Sequence, residues 1–291
     1  MKLVRLISIC GLFVLLPLQA LATEIDESRS IAADATVTVS NIAGEIIITV
    51  WDRNEVRLTG ELGNNQELVV TENASGVQFE VLNIKDNNDY DEAELELVVP
   101  VGANIVASGV SADISITGSK GSSISAESIS GDVSVESYSD RVELSSVSGE
   151  LEFSGASSRT SAETVSGDID LQGISGEITV STVSGDVELK AGKVDLGKFE
   201  TVSGTLELYL EVSDGGRLTA QGMSGDVDLY LPSSQLAEFS AQTFSGDISS
   251  KFGIAKDESF GPGSHLKHLQ GDSGAVIRVE TFSGDIRIAH K

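Results

Sequence analysis

A four-residue motif, an apolar residue followed by Ser-Gly and an acidic residue, recurs along most of the chain at a nearly constant interval. The motif glycines are Gly131, Gly149, Gly167, Gly185, Gly204, Gly225, Gly246 and Gly284. The steps between them are 18, 18, 18, 19, 21, 21 and 38 residues. A fixed period of this size is typical of stacked repeats, in which each unit buries its apolar face only against its neighbours. The repeat therefore constrains the fold more strongly than any other feature.

Positions at fixed distances from the motif glycine are apolar, which predicts three columns of side chains lining a common interior. Two residues after the glycine stand Val133, Leu151, Ile169, Val187, Leu206, Val227, Ile248 and Ile286. Four residues after it stand Val135, Phe153, Leu171, Leu189, Leu208, Leu229, then Ser250 as the one polar lapse, and Ile288. Two residues before it stand Ile129, Val147, Val165, Val183, Val202, Met223, Phe244 and Phe282. With the alternation of apolar and polar residues between them, these columns predict an all-β solenoid, a β-helix-like stack of 18–21-residue rungs.

The Ser-Gly pair is expected to form the corner between two strands of a rung. Glycine accepts a positive φ, which permits a sharp turn, and a serine hydroxyl can satisfy backbone groups nearby. A second turn is expected midway along each rung. The 38-residue step is expected to contain one rung with a polar excursion over residues 252–274.

Three segments are predicted along the chain. Residues 1–22 read as a signal peptide, because Lys2 and Arg5 precede an apolar stretch that ends at Ala20-Leu21-Ala22. Residues 23–110 read as a less regular N-terminal β region, a cap built from degenerate repeats. Residues 111–291 read as the Ser-Gly-Asp repeat solenoid, continuous with the cap as one domain.

Charge and cysteine content limit the possible partners. The chain has 19 basic and 45 acidic residues, and removal of Lys2 and Arg5 leaves 17 against 45, a net charge of −28. Such a charge disfavours nucleic acid and anionic lipid and favours cations or basic partners. The only cysteine, Cys10, lies in the predicted signal peptide, and no later apolar run reaches the ~18 residues of a membrane span. We expect an exported protein without stable membrane insertion, either periplasmic or secreted and associated with the cell surface.

The acidic position of the motif predicts a column of carboxylates along one corner. Its candidate metal ligands are Asp132, Glu150, Asp168, Asp186, Asp226 and Asp247. Oxygen-only ligands suit Ca²⁺, so one interpretation is a cation ladder. The other is a solvated charged surface, because the glycine-rich nonapeptide of calcium-binding β-rolls does not occur in the chain.

Other chemistry is poorly supported. His265 and His268 have no third metal ligand near them in sequence, and His290 is the only other histidine. No Ser-His-Asp set can be assembled, so no catalytic or cofactor-binding residue is assigned. Tyr209 and Tyr230 stand at equivalent positions of adjacent rungs and either stack on a sugar or cover apolar surface.

The chain resembles a bacterial family of candidate adhesins, the toast-rack family. The likeness is carried by residues 41–51, the turn at residues 99–103, the serial Val-Ser-Gly-Asp corners and the closing segment 274–286, and it covers residues 30–291. It implies an all-β, solenoid-like domain of the cell envelope. It supplies no catalytic residues.

Three classes of function follow. The first is a non-enzymatic exported interaction or scaffold protein of the cell envelope, adhesin-like, which binds an envelope protein or a surface polymer through the faces of the solenoid. The second is an envelope-stress or signalling accessory that docks on a membrane protein. The third is a polysaccharide-active β-helix enzyme, which would need clustered carboxylates and a basic or general-acid partner in a groove.

Overall fold

The protein is an all-β solenoid, as predicted from the repeat. A computed structural model describes residues 23–84, 91–257 and 263–291, which contain 23 strands and no helix. The predicted signal peptide lies outside these residues. None of the described segments forms a helix that could cross a membrane.

The strands in chain order are β1 (Thr23–Ser30), β2 (Thr36–Trp51), β3 (Glu55–Leu62), β4 (Gln66–Asn73), β5 (Gly76–Asn83), β6 (Ala93–Pro100), β7 (Asn104–Ser119), β8 (Ser123–Ser128), β9 (Val133–Tyr138), β10 (Arg141–Ser146), β11 (Leu151–Ala156), β12 (Arg159–Thr164), β13 (Ile169–Gln172), β14 (Gly176–Ser184), β15 (Val187–Ser203), β16 (Leu206–Gly222), β17 (Val227–Leu231), β18 (Ala237–Ser245), β19 (Ile248–Ser250), β20 (Lys256–Asp257), β21 (Ser264–Gln270), β22 (Val276–Ser283) and β23 (Ile286–His290).

The strands form two ladders that meet at the Ser-Gly corner. The pre-corner ladder runs β4–β5–β2–β7–β8–β10–β12–β14–β15–β16–β22–β18–β21–β20. The post-corner ladder runs β1–β3–β6–β2–β7–β9–β11–β13–β15–β16–β17–β23–β19. Four long strands, β2, β7, β15 and β16, contribute to both ladders.

Two of the three predicted columns form the interior. The residues two and four places after the motif glycine are buried in the post-corner ladder, and they join one apolar cluster that extends from Val37 to Ile288. The exceptions are Ile248 and Ser250, which are half-buried. Both lie in β19, the outermost strand of this ladder. The polar lapse at Ser250 therefore marks an end of the stack.

The rungs do not stack in chain order at the C-terminal end. The last two strands, β22 and β23, lie between the rung of β16 and β17 and the rung of β18 and β19. The 38-residue step was therefore interpreted wrongly as a rung with a polar excursion. Within it, β21 pairs antiparallel with β18 and covers the end of the pre-corner ladder, after which the chain returns to insert its final rung.

The N-terminal end is built in the same way. Strand β2 lies between β5 and β6 on one side and β7 on the other. Beyond β5 and β6, the strands β4, β3 and β1 pair antiparallel. The interior of the solenoid is thus parallel. Both ladders end in antiparallel strands at the N-terminal end, whereas at the C-terminal end only the pre-corner ladder does, because β19 pairs parallel with β23. Covering a stack in this way limits edge-to-edge association of the repeats.

Glycine is required at the corner by close packing. None of the eight motif glycines, all within the described part of the chain, has a positive φ, so the predicted reason for glycine was wrong. A Cβ atom at Gly167 would instead collide with the carbonyl oxygen of Gly149 in the adjacent rung, and a Cβ at Gly149 would collide with that of Gly131. The same overlap recurs at every motif glycine, with Ala112 providing the carbonyl beneath Gly131.

The hydroxyl group that supports the corner comes from the residue three places before the glycine. Ser128 Oγ accepts from the Gly131 N–H at 2.9 Å and donates to the Ala112 carbonyl at 3.0 Å. Equivalent hydroxyls accept from Gly149 and Gly167. The serine of the motif itself is exposed. The supporting role predicted for it belongs instead to the Ser or Thr two places before it.

We predict that Gly167→Ala destabilises the protein by about 2 kcal/mol or more, because the added methyl forces two rungs apart. Gly192→Ala is the matched control, since a Cβ there has its nearest neighbour at 3.8 Å. Urea denaturation monitored by circular dichroism measures both changes. Equal loss of stability in the two variants would show that close packing at the corner is not the constraint.

Candidate interaction surface

The third predicted apolar column lies on the surface, which corrects the prediction that it lines the interior. The residues two places before the motif glycine are between 44% and 59% exposed. The reason is the alternation of side chains along a strand. The buried Ser or Thr three places before the glycine takes the inward position, as at Ser128 and Thr164, and the next side chain therefore points outward.

These residues form one continuous line across the rungs. The Ser130 N–H donates to the Val110 carbonyl, and the Ser148 N–H donates to the Ile129 carbonyl, so Val110, which is 45% exposed, begins the line. At the other end the order follows the stack and not the sequence, so Phe282 comes before Phe244. The two rings stack with their centroids 4.9 Å apart and an interplanar angle of 8°. We call these nine exposed residues the apolar stripe: Val110, Ile129, Val147, Val165, Val183, Val202, Met223, Phe282 and Phe244.

A groove accompanies the stripe near each of its ends. One has a volume of 330 Å³ and is lined by Val110 and Ile129 together with Ile42 and Leu82, which extend the apolar surface. The other has a volume of 390 Å³ and includes both Phe244 and Phe282. The apolar surface thus follows the corner through most of the solenoid.

The predicted acidic column lies on the other side of the corner and has a structural role. Each Asp of the column except Asp247, which stands at its end, accepts a hydrogen bond through one carboxylate oxygen from the backbone N–H of the equivalent residue in the next rung. Asp132 Oδ1 accepts from Glu150 at 2.9 Å, and Asp168 Oδ1 accepts from Asp186 at 2.9 Å. Further steps of this ladder are Asp113 to Asp132, Asp186 to Thr205, Asp226 to Asp285 and Asp285 to Asp247.

The ladder is interrupted where the acceptor is not Asp. Within the described residues no such bond reaches the N–H of Asp168, which follows Glu150, or of Asp226, which follows Thr205. Glu has one more methylene than Asp, and Thr has no carboxylate. The hydrogen-bonding geometry therefore favours an acceptor on a side chain of the length of Asp, and it does not require the negative charge.

Repulsion within the column is visible at Glu150. Partial burial raises its pKa above the usual value, and the neighbouring carboxylates Glu152, Asp132, Asp168 and Asp170 raise it further. The folded state therefore holds this proton more tightly than the unfolded chain does. Ionised Glu150 therefore lowers the free energy of unfolding at a pH above its raised pKa. This destabilisation disappears as the pH falls through the raised pKa to the usual value.

Carboxylates border the stripe on both sides. All members of the acidic column are exposed, and they stand three places after the stripe residues. On the opposite side, two places before the stripe residues, lie four carboxylates on the outer face of the pre-corner ladder. These are Glu127, Glu163, Glu200 and Glu280. Glu200 pairs with Lys198 at 2.7 Å and Glu280 with Arg278 at 3.9 Å, so two of the four carboxylates of this second border already have a cationic partner.

A groove of 470 Å³ is formed by the acidic column and by the next outward column along the post-corner ladder. Its carboxylates are Glu150, Asp168, Asp170, Asp186, Glu188 and Glu207. None of the residues that line it is Lys, Arg or His. The groove therefore contributes negative potential to this side of the corner.

The structure brings the predicted metal ligands into one column without a closed cage. Among residues 23–84, 91–257 and 263–291, no group of three or more His, Cys, Asp or Glu side chains is arranged to hold a metal ion. The order of the column is Asp132, Glu150, Asp168, Asp186, Thr205, Asp226, Asp285 and Asp247. The calcium ladder remains a prediction.

The two tyrosines of the post-corner ladder stack on each other. The rings of Tyr209 and Tyr230 are 4.4 Å apart with an interplanar angle of 6°. The Tyr209 hydroxyl donates to Glu207, and this bond, together with burial and nearby charge, raises the pKa of Tyr209 far above its usual value. One face of each ring is therefore covered by the other tyrosine.

The stripe was the feature that sequence reasoning misplaced, although one signal was present. A Ser or Thr stands three places before most motif glycines, directly beside the apolar column. Two adjacent positions of a strand cannot both face the interior. An unbroken hydroxyl column next to an apolar column therefore predicts that one of them faces solvent, and the bond to the corner glycine decides which.

Stacked rungs of this kind define a class of repeat-built β-solenoid proteins. The chain belongs to the Toastrack DUF4097 family, whose model matches residues 29–216 and 211–289. The resemblance inferred from the corners is thereby confirmed. No curated protein is significantly similar to the chain.

Solved structures that are similar to the chain include two candidate adhesion proteins. One is a candidate cell adhesion protein from Clostridium sporogenes, with 11% identity and a TM-score of 0.24, covering 92% of this chain and 100% of that one. The other is a candidate adhesin from Bacteroides fragilis, with 10% identity and a TM-score of 0.46, covering 92% of this chain and 97% of that one.

We predict that Asp168→Ala lowers the free energy of unfolding by about 1 kcal/mol, because the Asp186 N–H loses its acceptor. Asp168→Asn retains an acceptor oxygen and removes one charge from the column, so its stability should equal or exceed that of the parent. Chemical denaturation at low ionic strength compares the three proteins. Equal loss in the Ala and Asn variants would show that charge, and not the hydrogen bond, is what the position contributes.

If the acidic column binds calcium, millimolar CaCl2 raises the melting temperature more than MgCl2 or NaCl of matched ionic strength. A ligand that binds only the folded state stabilises it by about 2.7 kcal/mol at a hundred times its Kd, whereas screening ignores ion identity. The double variant Asp168→Asn, Asp186→Asn should lose the calcium-specific part. A melting curve that responds equally to all three salts would rule out the ladder of bound cations.

Proposed function

We propose that the protein is a non-enzymatic, exported interaction protein of the cell envelope, adhesin-like in its manner of binding, which engages its partner through the corner surface. The observation that carries the proposal is the apolar stripe, nine exposed residues in one uninterrupted line. The proposed location is the periplasm or the outer surface of the cell. The partner is an envelope protein or a surface polymer.

Physical reasoning supports a binding role for the stripe. Monomeric proteins rarely expose contiguous apolar patches larger than about a few hundred Å², and larger ones usually mark an interaction site. At a rung spacing of about 4.8 Å, neighbouring stripe residues are in reach of one another. Repeat proteins commonly bind along such extended surfaces and need no deep cleft.

The acidic groove supports a role in binding. The lining of the groove is uniformly acidic and open. A long negative surface next to an apolar line is suited to recognition of a partner with the opposite charge.

The proposal is tested by crosslinking in intact cells with a photoreactive amino acid at Val165. Leu196 provides the matched control, because both side chains are 44% exposed and only Val165 lies in the stripe. We expect a discrete crosslinked product from Val165 and none from Leu196. If the two positions capture the same products in equal amounts, the stripe has no special role in binding.

A further inference from the structure

The apolar stripe and its charged borders specify the kind of partner that fits. We propose that the stripe binds an amphipathic helix of a partner protein, one whose apolar face is flanked by Lys or Arg. This inference rests on the proposed function and deepens it. It follows from three properties of the surface: its length, its hydrogen-bonding state and its charge.

The length of the stripe matches a helix. Nine residues at a rung spacing of about 4.8 Å extend over about 38 Å. A helix of about 25 residues has this length. Stripe residues follow one another without a polar interruption between Val110 and Phe244. A helix lying along the solenoid axis therefore finds apolar surface under every turn.

The backbone at the corner leaves no place for an added strand. The N–H groups of Ser130, Ser148 and Ser166 already donate to carbonyls of the adjacent rung, and those of Glu150 and Asp186 donate to the acidic column. A strand partner would find no row of free donors along the stripe. A helix satisfies its own backbone and requires from the surface only apolar contact.

Charge decides which helix is favoured. The acidic column borders the stripe on one side, and on the other lie Glu127 and Glu163, together with Glu200 and Glu280, which are paired with cations of this chain. Lys and Arg beside the apolar face of a helix would lie against both borders. A second copy of this chain would oppose acid to acid, and an anionic lipid surface would be repelled. The surface thus favours a basic protein segment over both.

The test uses a synthetic peptide of about 25 residues, with Leu along one helical face and Lys at its margins, and fluorescence anisotropy with the whole protein. One control peptide has the same composition scrambled so that no apolar face forms. The other has Glu in place of Lys. We expect the amphipathic basic peptide to bind at least tenfold more tightly than either control, with affinity falling as salt rises.

Variants of the protein locate the binding. The triple change Val147→Ser, Val165→Ser, Val183→Ser should weaken binding at least tenfold. The control triple Val106→Ser, Leu196→Ser, Leu269→Ser removes exposed apolar residues elsewhere and should leave it unchanged. Asp168→Asn with Asp186→Asn keeps the acceptors of the corner and should weaken binding by its charge alone. Melting curves establish that each variant is folded.

Four results would overturn the inference. These are equal binding of the scrambled peptide, equal binding to the stripe triple, a concentration-dependent dimer that the stripe triple abolishes, and binding to lipid vesicles that the same triple abolishes. The dimer or the vesicle result would identify the true occupant. Stripe-dependent crosslinking in cells with no peptide binding would leave the proposed function standing and remove only the helix.

Discussion

The close approach of successive rungs at the corner is the constraint from which the rest of the structure follows. The carbonyl oxygen of each motif glycine occupies the space that a Cβ of the next glycine would need. This contact fixes the register between rungs, because a slip of one residue would place a side chain there. In-register stacking then aligns everything near the corner, including the buried hydroxyls, the carboxylate ladder and the apolar stripe.

The two ends of the solenoid solve a problem that identical rungs create. A parallel stack can grow without limit unless its ends differ from its interior. Here β2 near the N-terminus and β22 with β23 at the C-terminus lie inside the stack. In the pre-corner ladder the outer positions are left to antiparallel strands such as β4 and β21, and in the post-corner ladder the short β19 ends the stack. The strands β2, β22 and β23, which lie near the two chain ends, are thereby paired on both sides.

The sequence correctly predicted the features that depend on the repeat. It did not predict which side of a strand a residue occupies at the corner, or the order of the rungs along the stack. The columns of Leu171 and Val187 were placed correctly, because both the spacing and the alternation indicate one face. The column of Val165 was placed inside, although Thr164 beside it occupies that side. The inserted last rung could not be predicted, because the corner at Gly284 is chemically compatible with any other rung. The half-buried Ser250 was the one local sign of an end.

The acidic column combines a need of the fold with a charge that the fold does not need. Asn could accept the same backbone hydrogen bond as Asp, yet six of the eight motif corners carry Asp and none carries Asn. At about 4.8 Å each adjacent pair of charges costs about 0.9 kcal/mol in water before screening. At Glu150, burial and then repulsion from the neighbouring carboxylates raise the pKa. The fold thus tolerates electrostatic repulsion along the whole corner, beside the exposed apolar stripe. This is explained if the negative charge keeps the protein soluble and attracts a basic partner.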